Sequence, residues 1–176
     1  MPAPSGSLRG TSTTGRYTYR SKAPVRPRAE AKEERANLTH ALEAHRQLLS
    51  HASSAIRTLT AARNEMIAQA LEDGLTLATI SAVTGENIRA VRTIGLAYDD
   101  LHPSELPRGA QVDALRAKSE HLKAAEKHRD RIVNQREALI VTALRTQACD
   151  DLELASLTGL TPEHIRRSTR GIARSA

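Results

Sequence analysis

The chain repeats itself, and the repeat limits what it can fold into more than any other feature. Displacing the sequence by 73 places sets Leu42 on Leu115, Leu49 on Leu122, Ala52 on Ala125, Leu59 on Ile132, Arg63 on Arg136, Ile67 on Ile140 and Leu71 on Leu144. Past Gly74 the displacement becomes 74, which sets Gly85 on Gly159 and Val91 on Ile165, so one residue is inserted near Gln147. Whatever one half forms, the other half forms again.

What each half forms follows from its periodicity. From Glu30 to about Glu72 there is no Pro or Gly, and Ala, Leu, Glu, Arg and Gln dominate, all good helix formers. Leu38, Leu42, Leu49, Ala52, Ile56, Leu59 and Met66 recur at spacings of three, four and seven. They make one apolar stripe along a helix roughly 60 Å long. Gly74 reads as its C-terminal stop, and a second long helix is expected from about Ala110 to Ala148. A stripe this narrow cannot stabilise an isolated helix. The long helices must therefore pair, either as a coiled-coil-like hairpin within the chain or as an oligomeric bundle with a second copy. Phe and Trp are absent and only 3 Tyr occur, so the core is aliphatic.

The expected fold class is all-α, with two repeats of a long helix plus a two-helix unit. By composition, residues 1–28 form a disordered basic arm and 29–100 the first repeat. Residues 101–109, with Pro103, Pro107 and Gly109, are a linker, and 110–176 are the second repeat.

Each long helix is followed by a compact pattern, ISAVTGENIRAVRTI from Ile80 to Ile94 and LASLTGLTPEHIRRSTRG from Leu154 to Gly171. A branched and a small residue (Ile80 and Ser81; Leu154 and Ala155) precede a Thr-Gly turn, and a second branched residue follows the glycine by six places. The small residue suits the close crossing of two short helices, and the glycine suits a positive φ between them. Val91 and Ile165 then point back under the first helix and leave the outer face of the second helix free. Thr161, Pro162 and Glu163 spell a helix start.

These two patterns resemble the helix-turn-helix of DNA-binding proteins, especially the compact form in bacterial repressors and regulator C-terminal domains. The resemblance covers Leu75 to Leu96 and Asp150 to Ile172. It implies a recognition helix beginning near Asn87 and another near Pro162. Where the family has an apolar residue just after the turn glycine, the second copy has Leu160 and the first has Glu86.

Net charge is +6, and its distribution is informative. Arg9, Arg16, Arg20, Lys22, Arg26 and Arg28 lie in the first 28 residues without an acid, while the rest of the chain holds 20 basic and 20 acidic side chains. Arg166, Arg167, Arg170 and Arg174 close the chain with no acid after Glu163. Both excesses fit an anionic partner such as nucleic acid. Arg26 and Arg28 sit in a Val-Arg-Pro-Arg stretch of the kind that lies in a minor groove; the alternative is a solvated tail.

In the second unit the candidate DNA face is Thr161, His164, Arg166, Arg167 and Arg170; in the first it is Asn87, Arg89, Arg92 and Thr93. Arginine pairs with guanine edges or phosphates and asparagine with adenine, although Asn87 is equally placed to cap its helix. The alternative for the arginines is ordinary surface charge near a helix C-terminus.

No metal or cofactor is expected. His40, His45 and His51 are five and six apart and His121 and His128 seven apart, so none of these pairs makes an i, i+4 clamp. The lone Cys149 implies a reducing compartment, and neither a transmembrane run nor a signal-peptide core is present. A transit peptide is the alternative reading of the Arg- and Ser-rich start. P-loop, dinucleotide and nucleophile-elbow motifs are missing, so no catalysis or small-molecule ligand is expected.

The sequence thus leads to a non-catalytic double-stranded DNA-binding protein, a bacterial transcriptional regulator of the cytoplasm and nucleoid. The long helices leave open a homo-oligomer. The alternatives are a helical scaffold whose short helices act as caps, and a DNA-packaging or partition protein of a mobile element.

Overall fold

A computed structural model describes residues 28–98, 101–168 and 170. The basic arm before Arg28 lies outside these residues. Six helices follow one another and no strand is present among the described residues: α1 (Arg28–Glu72), α2 (Leu77–Thr84), α3 (Ile88–Gly95), α4 (Arg108–Arg145), α5 (Asp151–Thr158) and α6 (Pro162–Ser168). The fold is all-α.

The long helices α1 and α4 lie against each other along much of their length. Leu38 and Leu42, near the start of α1, share a core with Ile140 and Ala143, near the end of α4. Ile67 and Ala70, near the end of α1, share a second core with Leu115, near the start of α4. The pairing is therefore antiparallel and intramolecular. The connection across the end is tied to α1 by Asp73, which accepts hydrogen bonds from Ser104 through both its backbone N–H and hydroxyl, and from Gln69 and Gln111. These Ser104 bonds hold the Asp73 carboxyl below its usual range, against the opposing effect of burial. Arg108 adds a bond from Nη2 to the Gly74 carbonyl at 2.8 Å, so the linker clamps both helix ends.

The repeat is visible in the two cores residue by residue. Ile67, Ala70, Leu75, Ile80, Val91 and Leu115 make the first. Their counterparts Ile140, Ala143, Cys149, Leu154, Ile165 and Leu42 make the second, joined by Leu38. Five of the six positions come from the repeat that owns the short helices, and the sixth, Leu115 or Leu42, comes from the other repeat. Cys149 stands where the first half has Leu75 and is buried, which raises its thiol above the ordinary range; Glu153 adds to the effect.

Local structure repeats as closely. The hydroxyls of Thr84 and Thr158 are buried and donate to the carbonyls of Ile80 and Leu154, at 2.8 and 2.6 Å. The same oxygens accept the N–H of Glu86 and Leu160 beyond the turn. Gly85 and Gly159, at φ 77° and 72°, close their helices in the left-handed conformation that the Thr-Gly pattern predicts. Thr76 and Asp150 cap α2 and α5.

One position breaks the pattern chemically. Both long helices end with paired backbone bonds over a left-handed residue: Gly74 to Leu71 and Leu75 to Ala70 in α1, and Gln147 to Leu144 and Ala148 to Ala143 in α4. In α1 the left-handed residue is Gly74 at φ 82°, but in α4 it is Gln147 at φ 56°. A side chain with a Cβ is strained there.

Two outcomes are expected. Gln147→Gly should raise stability by about 1 kcal/mol, read as a higher urea midpoint with an unchanged slope. Leu42→Ala should cost about 2–5 kcal/mol. Its hydrogen-exchange protection should fall first in α5 and α6, in the other repeat, while α2 and α3 keep theirs.

Candidate nucleic-acid interface

The two short-helix units are built on opposite ends of the α1–α4 rod, each sharing a core with residues of both long helices. In the first, α3 packs on α1 and α2 on α4. Its turn lies at the level of Arg63 on α1, whose Nη2 meets Glu86 Oε1 at 2.9 Å. The same turn lies beside Lys123 on α4, whose Nζ is 3.6 Å from where a Cβ on Gly85 would be. The far end of α3 reaches Leu71, which would crowd a Cβ on Gly95. Thus α3 runs outward from its turn along the rod.

In the second unit α5 packs on α1, as α2 packs on α4 in the first. Arg46 of α1 donates from Nη1 to the Ser156 carbonyl at 3.1 Å and lies against Gly159. Arg35 of α1 pairs with Glu153 of α5 at 2.6 Å, and that bond raises the Arg35 guanidinium above its usual range. Sequence alone carries no signal for Arg46 or Lys123 at these turns, because each belongs to the opposite repeat.

Val91 in α3 and Ile165 in α6 are the fully buried residues of the second helices, and Ile94 of α3 also packs against the first core. Arg89, Arg92 and Thr93 are all exposed on α3, together with Asn87 ahead of it and Ile88 at its start. Thr93 donates its hydroxyl to the Arg89 carbonyl, and Asn87 Oδ1 accepts the Ala90 N–H at 2.8 Å. Asn87 is therefore the cap of α3, and only its amide N–H groups remain to donate elsewhere.

On the second unit Thr161, His164, Arg166, Arg167 and Arg170 are likewise exposed. Thr161 caps α6 by accepting the His164 N–H at 3.2 Å. Arg166 Nε lies 3.3 Å from Asp151, and Arg167 lies 3.8 Å from Glu163. The acids of this unit are engaged in turn: Asp150 caps α5, Asp151 and Glu163 face arginines, and Glu153 meets Arg35. Arg26 lies outside the described residues, and of Arg28 only the backbone, at the start of α1, is described.

Glu86 turns out to have a structural reason. Arg63 is 11% exposed and Glu86 32%, so the acid neutralises a largely buried guanidinium at the turn. The repeat puts Arg136 at the matching place in the second half and Leu160 where Glu86 would be. Burial lowers the Arg136 guanidinium, against the pull of Glu137, and its Nε, like that of Arg63, is buried without a hydrogen-bond partner among the described residues. Ser81 also does more than give clearance at the helix crossing. Its hydroxyl donates to the Glu86 carbonyl at 2.6 Å and locks the first turn, a bond that Ala155 cannot make.

Among the described residues no group of three or more His, Cys, Asp or Glu side chains converges on a metal position. None of the described helices is long and apolar enough to cross a membrane. No family model, curated protein or solved structure matches this chain.

Removing the Glu86 charge tests the turn. Glu86→Gln should destabilise the protein by about 1–3 kcal/mol, because it strips a largely buried arginine of its acidic partner. Glu163→Gln, whose pair is open to solvent, should change stability by less than about 0.5 kcal/mol. Parallel urea titrations make the comparison.

Proposed function

We propose that this protein binds double-stranded DNA without catalysis, through the outer faces of α3 and α6, and acts as a transcriptional regulator. The observation that carries the reading is the uncovered second helix of each unit. It is held from beneath by apolar residues, Val91 and Ile94 in α3 and Ile165 in α6, and presents exposed arginines, Arg89 and Arg92 on α3, Arg166 and Arg167 on α6. A helix held in this way fits the major groove, where arginine bonds guanine edges in pairs or meets phosphates.

The spacing of the units supports the same reading. Leu42 and Ile67, at the centres of the two cores, are 25 residues apart on α1. At 1.5 Å per residue that is roughly 38 Å, close to the 34–36 Å between successive major grooves on one face of B-DNA. The basic run from Arg9 to Arg28 adds charge suited to phosphate contact. Neutralisation of Glu86 by Arg63 removes an acid's full repulsion from the front of α3.

The test compares two double variants. Arg89→Ala with Arg92→Ala, and Arg166→Ala with Arg167→Ala, should each weaken binding to a selected duplex by roughly 10- to 100-fold. Helix content should stay as it was, since all four side chains are exposed. Fluorescence anisotropy at near-physiological salt gives the affinities and circular dichroism the helix content. Affinities within about twofold of the parent for both variants would remove these helices as readers and favour a helical scaffold.

A further inference from the structure

The internal symmetry bears on how the two outer helix faces are arranged relative to each other. Exchanging two antiparallel helices is a twofold rotation about an axis perpendicular to the plane that contains them. Such a rotation reverses direction along the rod but leaves height above that plane unchanged. The one-to-one match of the two cores, with α5 on α1 where α2 is on α4, supports this dyad as the operation that relates the repeats. The first unit contacts both long helices at a common level, through Arg63 and Glu86 on one side and Lys123 and Gly85 on the other, and so stands over the groove between them. The dyad then sets the second unit on the same face of the rod. α3 begins at its inward-facing turn and runs outward, and α6, whose turn lies at Arg46, does the same under the dyad. Their first residues therefore face each other across the dyad.

The two outer faces are related but unequal. With the displacement of 74, Arg92 corresponds to Arg166, whereas Arg89 corresponds to Glu163 and Thr93 to Arg167. An arginine favours guanine, and a glutamate accepts from the cytosine amino group. One position of each half-site would thus be read alike and its neighbours differently.

We propose that a single chain reads an imperfect inverted repeat in duplex DNA, its internal dyad lying over the dyad of the site and its half-site centres about one helical turn apart. This rests on the DNA-binding reading above. It differs from the usual route to an inverted repeat, in which two copies of a one-unit chain supply the symmetry.

The experiment is a selection from random duplexes with the full-length protein at near-physiological salt, followed by sedimentation of the protein on the selected duplex. The expected result is two inverted, non-identical half-motifs about 10–11 base pairs apart, centre to centre, with one chain per duplex. Adding about five base pairs between the halves turns one of them to the opposite side of the helix. Affinity should then fall to that of a single half-motif, at least about tenfold weaker. Direct repeats, a lone half-motif, DNA retained without a motif, or two chains on an inverted site would each overturn this arrangement and leave DNA binding standing. A protein that retains no duplex at all would overturn both readings together.

Discussion

Neither repeat can complete its own core, and the rest of the structure depends on that. The short helices of the first unit close over Ile67, Ala70 and Leu75 from their own repeat, but the floor needs Leu115 from α4. The second unit takes Leu42 from α1 in the same way. A buried leucine contributes a few kcal/mol through burial and packing, a large share of the stability of a small domain. Each unit is therefore stable only while the long helices are paired in one register, and that pairing is held at both ends by the units. In the middle of the rod Leu49, Ala52, Ile56 and Leu59 of α1 are half-buried, while Leu122 and Ile132 of α4 are buried.

The departures from symmetry are where the halves have been adapted separately. Arg63 and Arg136 occupy one place in the repeat, yet only the first has an acid at the turn. Keeping a largely buried guanidinium is costly without a partner, so the Glu86 pair steadies the first turn. The second turn has Leu160 packed on its apolar core instead. It also gains the ion pair between Arg35 and Glu153 and the bond from Arg46 to Ser156. Two solutions to one packing problem give two turns of different charge, and the second helices that start from them carry different outward side chains.

Much of this was legible in the sequence because it follows from local chemistry. The positive φ of Gly85 and Gly159 follows from the Thr-Gly pattern, and the cap at Thr161 from Thr-Pro-Glu. The burial of Val91 and Ile165 follows from their distance to the glycine. The matching stripes required the long helices to pair but did not choose between an intramolecular hairpin and a bundle, since both bury the same stripe. That choice is made by Leu42 and Leu115, whose partners lie in the opposite repeat. Arg46 and Lys123 were hidden for the same reason. Gln147 was hidden differently: the usual mark of a left-handed helix end is glycine, and here the backbone adopts it with a side chain present. Asn87 was ambiguous between a cap and a base reader, and the bond to Ala90 resolves its oxygen to the cap.

The same dependence makes the rod a ruler with two readings. Each residue added to a helix lengthens it by 1.5 Å and turns whatever follows by about 100°. An insertion in α1 between Leu42 and Ile67 would part the units and also rotate Leu42 away from α5, so it would lose the core before it altered the spacing. Only an addition of about seven or eleven residues, made in both α1 and α4, would keep the phase. Those steps change the separation by roughly 10 or 16 Å. The distance between α3 and α6 is thus fixed by the folding requirement itself, whatever side chains fill the middle of the rod.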